Sequence, residues 1–313
     1  MDKKSLRFSS GNSGTHYYHQ WTPEAPIAWL HIMHGMAEHS ARYADLAEYL
    51  NQQSIMVTAG DHRGHGLTGS ASNSLYHTGD KNSWNQMVDD QWQLITHIAS
   101  EQPLPLIIMG HSMGSFMATR FCQVYGQQVQ IDLQGRLRGL ILSGSNYDSP
   151  AAFKVAAGIA WIERARLGGR TSSKFLEKLS FGSFNRHFNP QRTDKDWLSS
   201  DTAIVDAYIA DPWCGGALST QSWYDFIRGL GQLSQPATMA QIPVKLPIYL
   251  FSGDQDPVGG NGKGVIKLEQ ALLDAGIESV KLKLYANGRH EMLNETNKQE
   301  VYRDLLGWIQ NTI

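Results

Sequence analysis

The segment Leu106–Ser115, LIIMGHSMGS, restricts the fold of this chain more than any other feature. It holds the pattern Gly-x-Ser-x-Gly at 110–114, directly after an apolar run and directly before a helical pattern. A serine at such a strand-to-helix turn has a strained backbone, and side chains two positions away on either side would collide, so both positions favour glycine. The motif therefore predicts an exposed nucleophile, Ser112, in a turn that depends on Gly110 and Gly114.

Short apolar runs alternate with amphipathic stretches on both sides of this motif. Runs without polar alternation suit strands buried on both faces of a parallel sheet, and strand–helix alternation implies a layered α/β fold. A weaker pattern at His16–Trp21 predicts an antiparallel edge strand. The predicted strands are Ala28–Met33, Ile55–Ala59, Leu104–Met109, Leu137–Ser143, Pro247–Ser252 and Val280–Tyr285, with helices such as Tyr43–Gln52, Trp84–Ser100 and Met113–Tyr125 between them.

The strand pattern is interrupted between about Asn146 and Ala240. This stretch carries four of the nine tryptophans and has amphipathic helical patterns at Phe153–Leu167 and Ser219–Leu230. We predict a core at 1–145 and 240–313, with a helical cap at 146–239 inserted after the sixth strand. A cap at the carboxyl edge of the sheet would cover the nucleophile, and its aromatic content predicts a mostly apolar pocket suited to acyl chains.

Two later loops offer partners for the serine. A hydroxyl is a weak nucleophile without a base, and in this architecture an acid and a histidine follow the serine in chain order, each after a later strand. Asp254 and Asp256 follow the fifth predicted run, and His290 follows the sixth. We expect His290 to be the base and Asp256 to orient it, since Asp256 lies beyond the tight turn. Asp254 is the alternative, although it suits a cap of that turn better.

The loop after the first predicted run supplies a candidate oxyanion hole. Gly35 permits a sharp bend, and the backbone amide of Met36 is the candidate donor in this loop. The amide of Met113, at a helix N-terminus directly after the serine, is the second candidate donor. A backbone donor leaves the Met36 side chain free to contact an acyl chain.

Five histidines lie between positions 31 and 65 of the sequence, and they raise the question of a metal ion. His31 and His34 are three residues apart on a strand, which directs their side chains to opposite faces. The HRGH turn at 62–65 lacks the ligand spacing typical of zinc sites. We expect no metal and no organic cofactor, and we expect His31, His34, His39, His62 and His65 to form hydrogen bonds with the loop backbone.

Charge and composition exclude several classes of partner. The formal net charge is −2, without long runs of like charge, which argues against nucleic acid as a partner. We find no secretory signal and no apolar stretch of membrane-spanning length, and we expect a cytoplasmic protein. Cys122 and Cys214 are outside any CxxC motif, so reduced thiols are expected. The cap could contact a lipid surface transiently, but its balanced charge gives this contact no support.

Three motifs together resemble one family. His34–Tyr43, HGMAEHSARY, resembles the HGxxEHSxRY loop of monoacylglycerol lipases and bacterial lysophospholipase-like hydrolases. Asp61–Gly66, DHRGHG, is similar to their DxRGHG turn, and GHSMG at 110–114 to their nucleophile turn. The resemblance covers most of the predicted core and weakens in the cap. It implies an α/β-hydrolase fold with a helical cap, ester hydrolysis through an acyl-enzyme, a triad of Ser112, Asp256 and His290, and oxyanion amides at Met36 and Met113.

The resemblance leaves the substrate open. A small acyl ester, such as a monoglyceride or a lysophospholipid, is the main expectation. An aminopeptidase or amidase on the same triad is an alternative that an acidic cluster in the cap would favour, but Glu163, Asp206 and Asp211 are scattered in the sequence. A haloperoxidase- or thioesterase-like hydrolase is another alternative. A binding protein that has lost the chemistry is disfavoured, because all three triad residues are present.

Overall fold

A central sheet of eight strands crosses the computed structural model, which describes residues 2–10 and 14–313. The strands are β1 (Asp2–Ser10), β2 (Gly14–Thr22), β3 (Ala28–Met33), β4 (Ile55–Gly60), β5 (Leu106–His111), β6 (Leu137–Ser143), β7 (Ile248–Gly253) and β8 (Val280–Tyr285). Their order across the sheet is β1-β2-β4-β3-β5-β6-β7-β8. The pairs β1–β2 and β2–β4 are antiparallel, and the remaining pairs are parallel.

Helices cover both faces of this sheet. They are α1 (Ala44–Asn51), α2 (Gly66–Ala71), α3 (Ser83–Glu101), α4 (Met113–Asp132), α5 (Pro150–Leu167), α6 (Lys174–Phe181), α7 (Thr202–Ala210), α8 (Thr220–Leu233), α9 (Pro236–Met239), α10 (Lys263–Asp274) and α11 (Lys298–Gln310). Short 3₁₀ turns lie at Ser40–Tyr43, Phe184–His187 and Met292–Asn294.

The apolar strand runs are buried because both faces of the sheet are covered. Every residue of β3, β4, β5 and β7 is buried. Alternate side chains of β3 belong to two separate cores: Trp29 and Met33 pack on one face, whereas Leu30 and Ile32 pack on the other. This division follows from the two-residue period of a strand and explains why these runs show no polar alternation.

The prediction of a mostly parallel sheet flanked by helices is confirmed, and each of the six predicted apolar runs is a strand within two residues of its expected bounds. The antiparallel strand expected at His16–Trp21 is β2, but its predicted edge position is wrong. Asp2–Ser10 pairs along its outer side and is the edge strand itself. The described side chains of this strand are exposed or half-buried, so it lacks the apolar signal of a core strand.

The segment 146–239, which we call the cap segment, lies between β6 and β7 along the chain. It is described throughout, contains the five helices α5 to α9, and contributes no strand to the sheet. Side chains from this segment, including Phe181, Trp197 and Tyr208, line a cleft together with Ser112. The segment therefore lies against the carboxyl edge of the sheet, next to the predicted nucleophile.

Candidate active site

Ser112 occupies the single-residue turn between β5 and α4. Its backbone has φ 52° and ψ −121°, in the left-handed half of conformational space that residues with side chains rarely adopt. A Cβ atom at Gly110 would lie 2.1 Å from the carbonyl oxygen of Gly114, and one at Gly114 would lie 1.9 Å from the carbonyl oxygen of Met33. Both contacts are impossible, so Gly110 is required for the turn to close against the start of α4, and Gly114 for it to pack against the end of β3.

Asp256 and His290 meet behind the serine turn. Nδ1 of His290 lies 3.0 Å from each carboxylate oxygen of Asp256. The same carboxylate accepts hydrogen bonds from the Ser252 hydroxyl and the Val258 amide, both at 2.9 Å. Asp256 is fully buried, whereas Asp254, the sequence alternative, is exposed. The structure thus brings Asp256, and not Asp254, into contact with His290.

Ser112 and His290 line one narrow cleft, which we call the polar cleft. No hydrogen bond joins the Ser112 hydroxyl to His290 among the described residues, although catalytic hydrogen bonds are often formed only when substrate is bound. The backbone amides of Met36 and Met113 donate to no other group in the described part of the chain. Met36 and Ser112 also line this cleft together.

A second, apolar cavity opens from the same serine. It has a volume of about 340 Å³, and we call it the apolar cavity. Its walls combine core residues near the turn with side chains of the cap segment: Met36, Ser112, Phe116, Phe153, Leu176, Phe226 and Leu230. Ser112 therefore lies where a polar space and an apolar space meet, an arrangement that suits a substrate with one polar and one apolar part.

This geometry agrees with the comparison of the chain with known proteins. A family model described as "Serine aminopeptidase, S33" matches residues 24–297. The chain belongs to this family. A monoacylglycerol lipase of Mycolicibacterium smegmatis is 29% identical to this S33-family protein over 301 residues, which cover 93% of the chain and 91% of the relative. The human monoglyceride lipase is 24% identical, over 92% of the chain and 84% of the relative.

Solved structures show the same fold. A thermostable carboxyl esterase from Bacillus coagulans superposes on the S33-family protein with a TM-score of 0.89 and 28% identity, covering 100% of the chain and 99% of the esterase. The resemblance drawn from the three sequence motifs is thereby confirmed. Within residues 2–10 and 14–313, none of the helices combines the length and apolar character that crossing a bilayer requires.

Opposing effects set the charge preference of the His290–Asp256 pair. Burial, the largest single effect, would lower the pKa of His290, but the charge and hydrogen bond of Asp256 together with the charges of Glu291 and Glu38 outweigh it, and the net pKa lies above the usual value. Burial would likewise raise the pKa of Asp256, but His290 and the Ser252 hydroxyl bring it below its usual value. The site therefore stabilises an imidazolium next to a carboxylate, which is the state that follows proton transfer to the histidine.

A buried ion network joins the Gly35 loop to the His290 loop. Arg42 donates to Glu38 at 2.6 Å and to the two carboxylate oxygens of Glu291 at 2.8 and 2.7 Å. Burial would raise the pKa of Glu38, but the charge of Arg42, with smaller contributions from His111, Gly35 and Tyr43, lowers it to about 2. Sequence reasoning missed this network. The four-residue spacing of Glu38 and Arg42 was visible, but the bond to Glu291, 249 positions away, depends on the tertiary fold.

Three of the five histidines expected to bond to backbone do so, whereas His31 bonds to the side chains of Thr58 and Gln91 and His39 bonds to Asp211. His34 and His62 bond to loop backbone at 2.8 and 3.1 Å, and His65 bonds to the carbonyl oxygen of Arg63 at 2.9 Å. Among the described residues, one group has ligand atoms close enough to share an ion, within 4.8 Å: His39, Asp211 and Cys214. Its imidazole and carboxylate are already hydrogen-bonded to each other at 2.8 Å.

Proposed function

We propose that this protein hydrolyses monoacylglycerols or similar medium-chain esters, with Ser112 as nucleophile, His290 as base and Asp256 as the residue that orients the base. The arrangement that carries the proposal is the meeting of the strained serine, the buried Asp256–His290 pair and two chemically different cavities at one point. The activity class, an ester hydrolase, is also that of the named relatives.

The proposed reaction follows from the hydrogen bonds. Because Nδ1 of His290 donates to Asp256, Nε2 carries the lone pair and can accept the Ser112 proton. The serine oxygen attacks the ester carbonyl, and the amides of Met36 and Met113 donate to the resulting oxyanion. The imidazolium then protonates the departing alcohol. Water activated by the neutral imidazole releases the carboxylic acid and restores the serine.

The two cavities suggest how an ester is oriented. The apolar cavity of about 340 Å³ suits an acyl chain, since aromatic and aliphatic side chains form most of its wall. The polar cleft suits the alcohol, because Glu177, Lys195 and Tyr208 line it beside the triad residues. Glu177 accepts a hydrogen bond from the Trp223 indole at 2.9 Å, which holds its carboxylate in a defined position.

The aminopeptidase alternative has weaker support, although the family description names that activity. A peptidase of this kind needs acidic side chains free to bind the substrate amine. The cap acids considered for this role are bonded elsewhere: Glu163 to Arg166, Asp206 to Arg192, and Asp211 to His39. These three acids do not converge on the polar cleft, and Glu177, the cap acid that does line it, already accepts a hydrogen bond from the Trp223 indole, so we favour ester cleavage.

The decisive experiment compares esters of increasing chain length on two variants. Ser112→Ala should lose at least about 10⁴-fold in kcat against p-nitrophenyl esters and monoacylglycerols, and should no longer react with a fluorophosphonate probe. Ser100→Ala, at an exposed position near the end of α3, is the matched control and should behave as the wild type. Retained turnover or labelling in Ser112→Ala would exclude this serine as the nucleophile.

The outer surface of the cap segment also suggests transient contact with lipid. Large apolar side chains that are more than half exposed lie on α5 and α6: Val155, Trp161, Ile162 and Phe175. Such side chains are costly in water and favourable at a lipid surface. Replacing Trp161 and Ile162 with serine should reduce sedimentation with phosphatidylcholine vesicles while hydrolysis of a short soluble ester stays constant. Equal vesicle binding by both proteins would refute this contact.

We further propose a cytoplasmic location. Cys122 and Cys214 are both free, which suits a reducing compartment. Cell fractionation with an antibody against the full chain tests this, and recovery in an oxidising compartment would contradict it.

A further inference from the structure

Three histidines outside the triad form a buried cluster beside the Gly35 loop. The ring centroids of His34 and His62 are 3.8 Å apart, and those of His34 and His65 are 5.3 Å apart. All three side chains are buried, and none of them is part of the proposed triad. Burying several imidazoles next to a catalytic loop is costly, which suggests a specific role.

The hydrogen bonds of His34 have only one consistent direction. Burial, reinforced by the charge that His65 would carry, keeps the pKa of His34 well below its usual value, so the ring is neutral with one donor and one acceptor nitrogen. Nδ1 lies 2.8 Å from the carbonyl oxygen of Gly35, which can only accept. Nδ1 therefore donates, and Nε2 accepts the backbone N–H of His62 at 3.0 Å.

The same reasoning extends the network to α3. Nε2 of His62 lies 3.1 Å from the carbonyl oxygen of His34 and must donate to it. Nδ1 of His62 then accepts from the side-chain amide of Gln91 at 3.3 Å. The amide oxygen of Gln91 in turn lies 2.8 Å from Nε2 of His31. The ring of His34 is thus held on a buried frame that reaches from the sheet to a long helix.

This frame determines the orientation of one peptide group. The carbonyl of Gly35 and the amide of Met36 belong to the same planar peptide unit, in which C=O and N–H point in opposite directions. His34 binds the carbonyl end, and Glu38 accepts from the N–H of the preceding peptide unit. With both sides of Gly35 restrained, the Met36 amide is directed away from the His34 ring.

We propose that His34 is a positioning residue that locks the Gly35–Met36 peptide and so pre-aligns the Met36 amide for the oxyanion. The inference rests on the proposed function, because it assumes that this amide serves the reaction. Donors that are already aligned stabilise a developing charge without reorganisation, whereas a peptide free to rotate loses part of that stabilisation. Loss of the His34 hydrogen bond should therefore destabilise the transition state, which lowers kcat, and leave substrate binding in the ground state unchanged.

The test separates the hydrogen bond from packing by using two substitutions with opposite properties. His34→Asn is smaller, but its amide nitrogen can occupy the place of Nδ1 and still donate to Gly35. His34→Phe fills the volume and cannot donate. We expect His34→Phe to lower kcat by about 10- to 100-fold, less than the roughly 10²–10³ that loss of an oxyanion donor costs, with KM nearly unchanged. We expect His34→Asn to retain activity within about fivefold of the wild type.

His65→Phe is the matched control in the same cluster. His65 is equally buried, but it bonds to Arg63 and not to the Gly35 peptide, so its loss should change kcat by less than about threefold. A trifluoromethyl ketone, which forms a tetrahedral adduct with the serine, supplies the second readout. Its affinity should fall in His34→Phe by the same factor as kcat/KM, while inhibition by a fatty acid stays constant.

Two results would overturn the proposal. One is that His34→Phe stays active while His34→Asn does not, which is the order that packing alone predicts. The other is an equal loss of activity in His34→Phe and His65→Phe with unchanged ketone affinity. Failure of the proposed function is recognised separately, because it would appear as retained activity in Ser112→Ala.

Discussion

Replacement of Asp256 by asparagine tests the proposed mechanism most directly. The carboxylate is fully buried and lies 3.0 Å from Nδ1 of His290 through both oxygens. It also accepts from Ser252 and Val258. Asparagine has the same shape but only one acceptor oxygen. The Val258 amide can only donate, so it competes with His290 for that single oxygen. When the oxygen accepts from Val258, the asparagine NH₂ group faces His290, and the imidazole then favours the tautomer that carries its proton on Nε2.

The expected loss is large because this tautomer cannot accept the serine proton. In a triad, the corresponding change lowers kcat by about 10⁴-fold, which corresponds to about 5 kcal/mol in activation free energy. Asp254→Asn is the matched control two residues away. Since Asp254 is exposed, its replacement should change kcat by less than about twofold.

The pH dependence of kcat/KM provides an independent test of the role of Asp256. The Asp256 carboxylate raises the pKa of His290, and the base must be neutral to act, so activity of the wild type should fall with decreasing pH through a pKa above that of free imidazole. Removal of the negative charge lowers that pKa. The acid limb of kcat/KM in Asp256→Asn should therefore move to lower pH.

The assay is hydrolysis of a soluble p-nitrophenyl ester between pH 5 and 9, on proteins whose thermal unfolding has been compared. Activity of Asp256→Asn within tenfold of the wild type would refute the role of this carboxylate. A large loss in Asp254→Asn with little loss in Asp256→Asn would reverse the assignment of the two acids.

Two further predictions follow from packing. Gly114→Ala should destabilise the fold by about 3 kcal/mol or more and remove activity, because the added Cβ would lie 1.9 Å from a backbone oxygen of β3. A midpoint of thermal unfolding equal to that of the wild type would show that glycine is not required at position 114. Phe153→Ala should shift the preferred acyl chain toward greater length, because Phe153 and Ile227 separate the apolar cavity from an outer groove of about 640 Å³ between α5 and α8. An unchanged chain-length profile on p-nitrophenyl esters would show that this side chain does not limit the acyl site.

Much of the candidate site was predictable because its signals are local. The tight turn at Ser112 requires glycine two positions before and two positions after the serine, and this requirement is visible in five consecutive residues. The buried strands β3 and β5 were recognisable as unbroken apolar runs, since helices cover both of their faces. The loops after β7 and β8 carry the acid and the histidine. Because the carboxyl ends of parallel strands lie at one edge of the sheet, these loops were expected to lie near Ser112.

The choices between similar residues needed the tertiary structure. Asp254 and Asp256 are the same residue type two positions apart, and the sequence favoured Asp256 only by its place beyond the turn. Burial and the contact with His290 distinguish the two in the structure. The catalytic role of Asp256 stays a prediction until the variants are measured. The edge strand β1 was missed because the side chains described for it carry no core signal.

The sequence by itself determined the fold class, the nucleophile turn and the set of candidate catalytic residues, because short-range steric rules and strand periodicity encode them. Only the tertiary structure decided which groups share a hydrogen bond across long separations, as in the Arg42–Glu291 pair and the His34–Gly35–His62 frame. It also decided the shape of the apolar cavity, since helices of the cap segment approach α4 from a distant part of the chain. Such contacts join residues that are far apart in the sequence, so they depend on the tertiary fold, and no local sequence pattern predicts them.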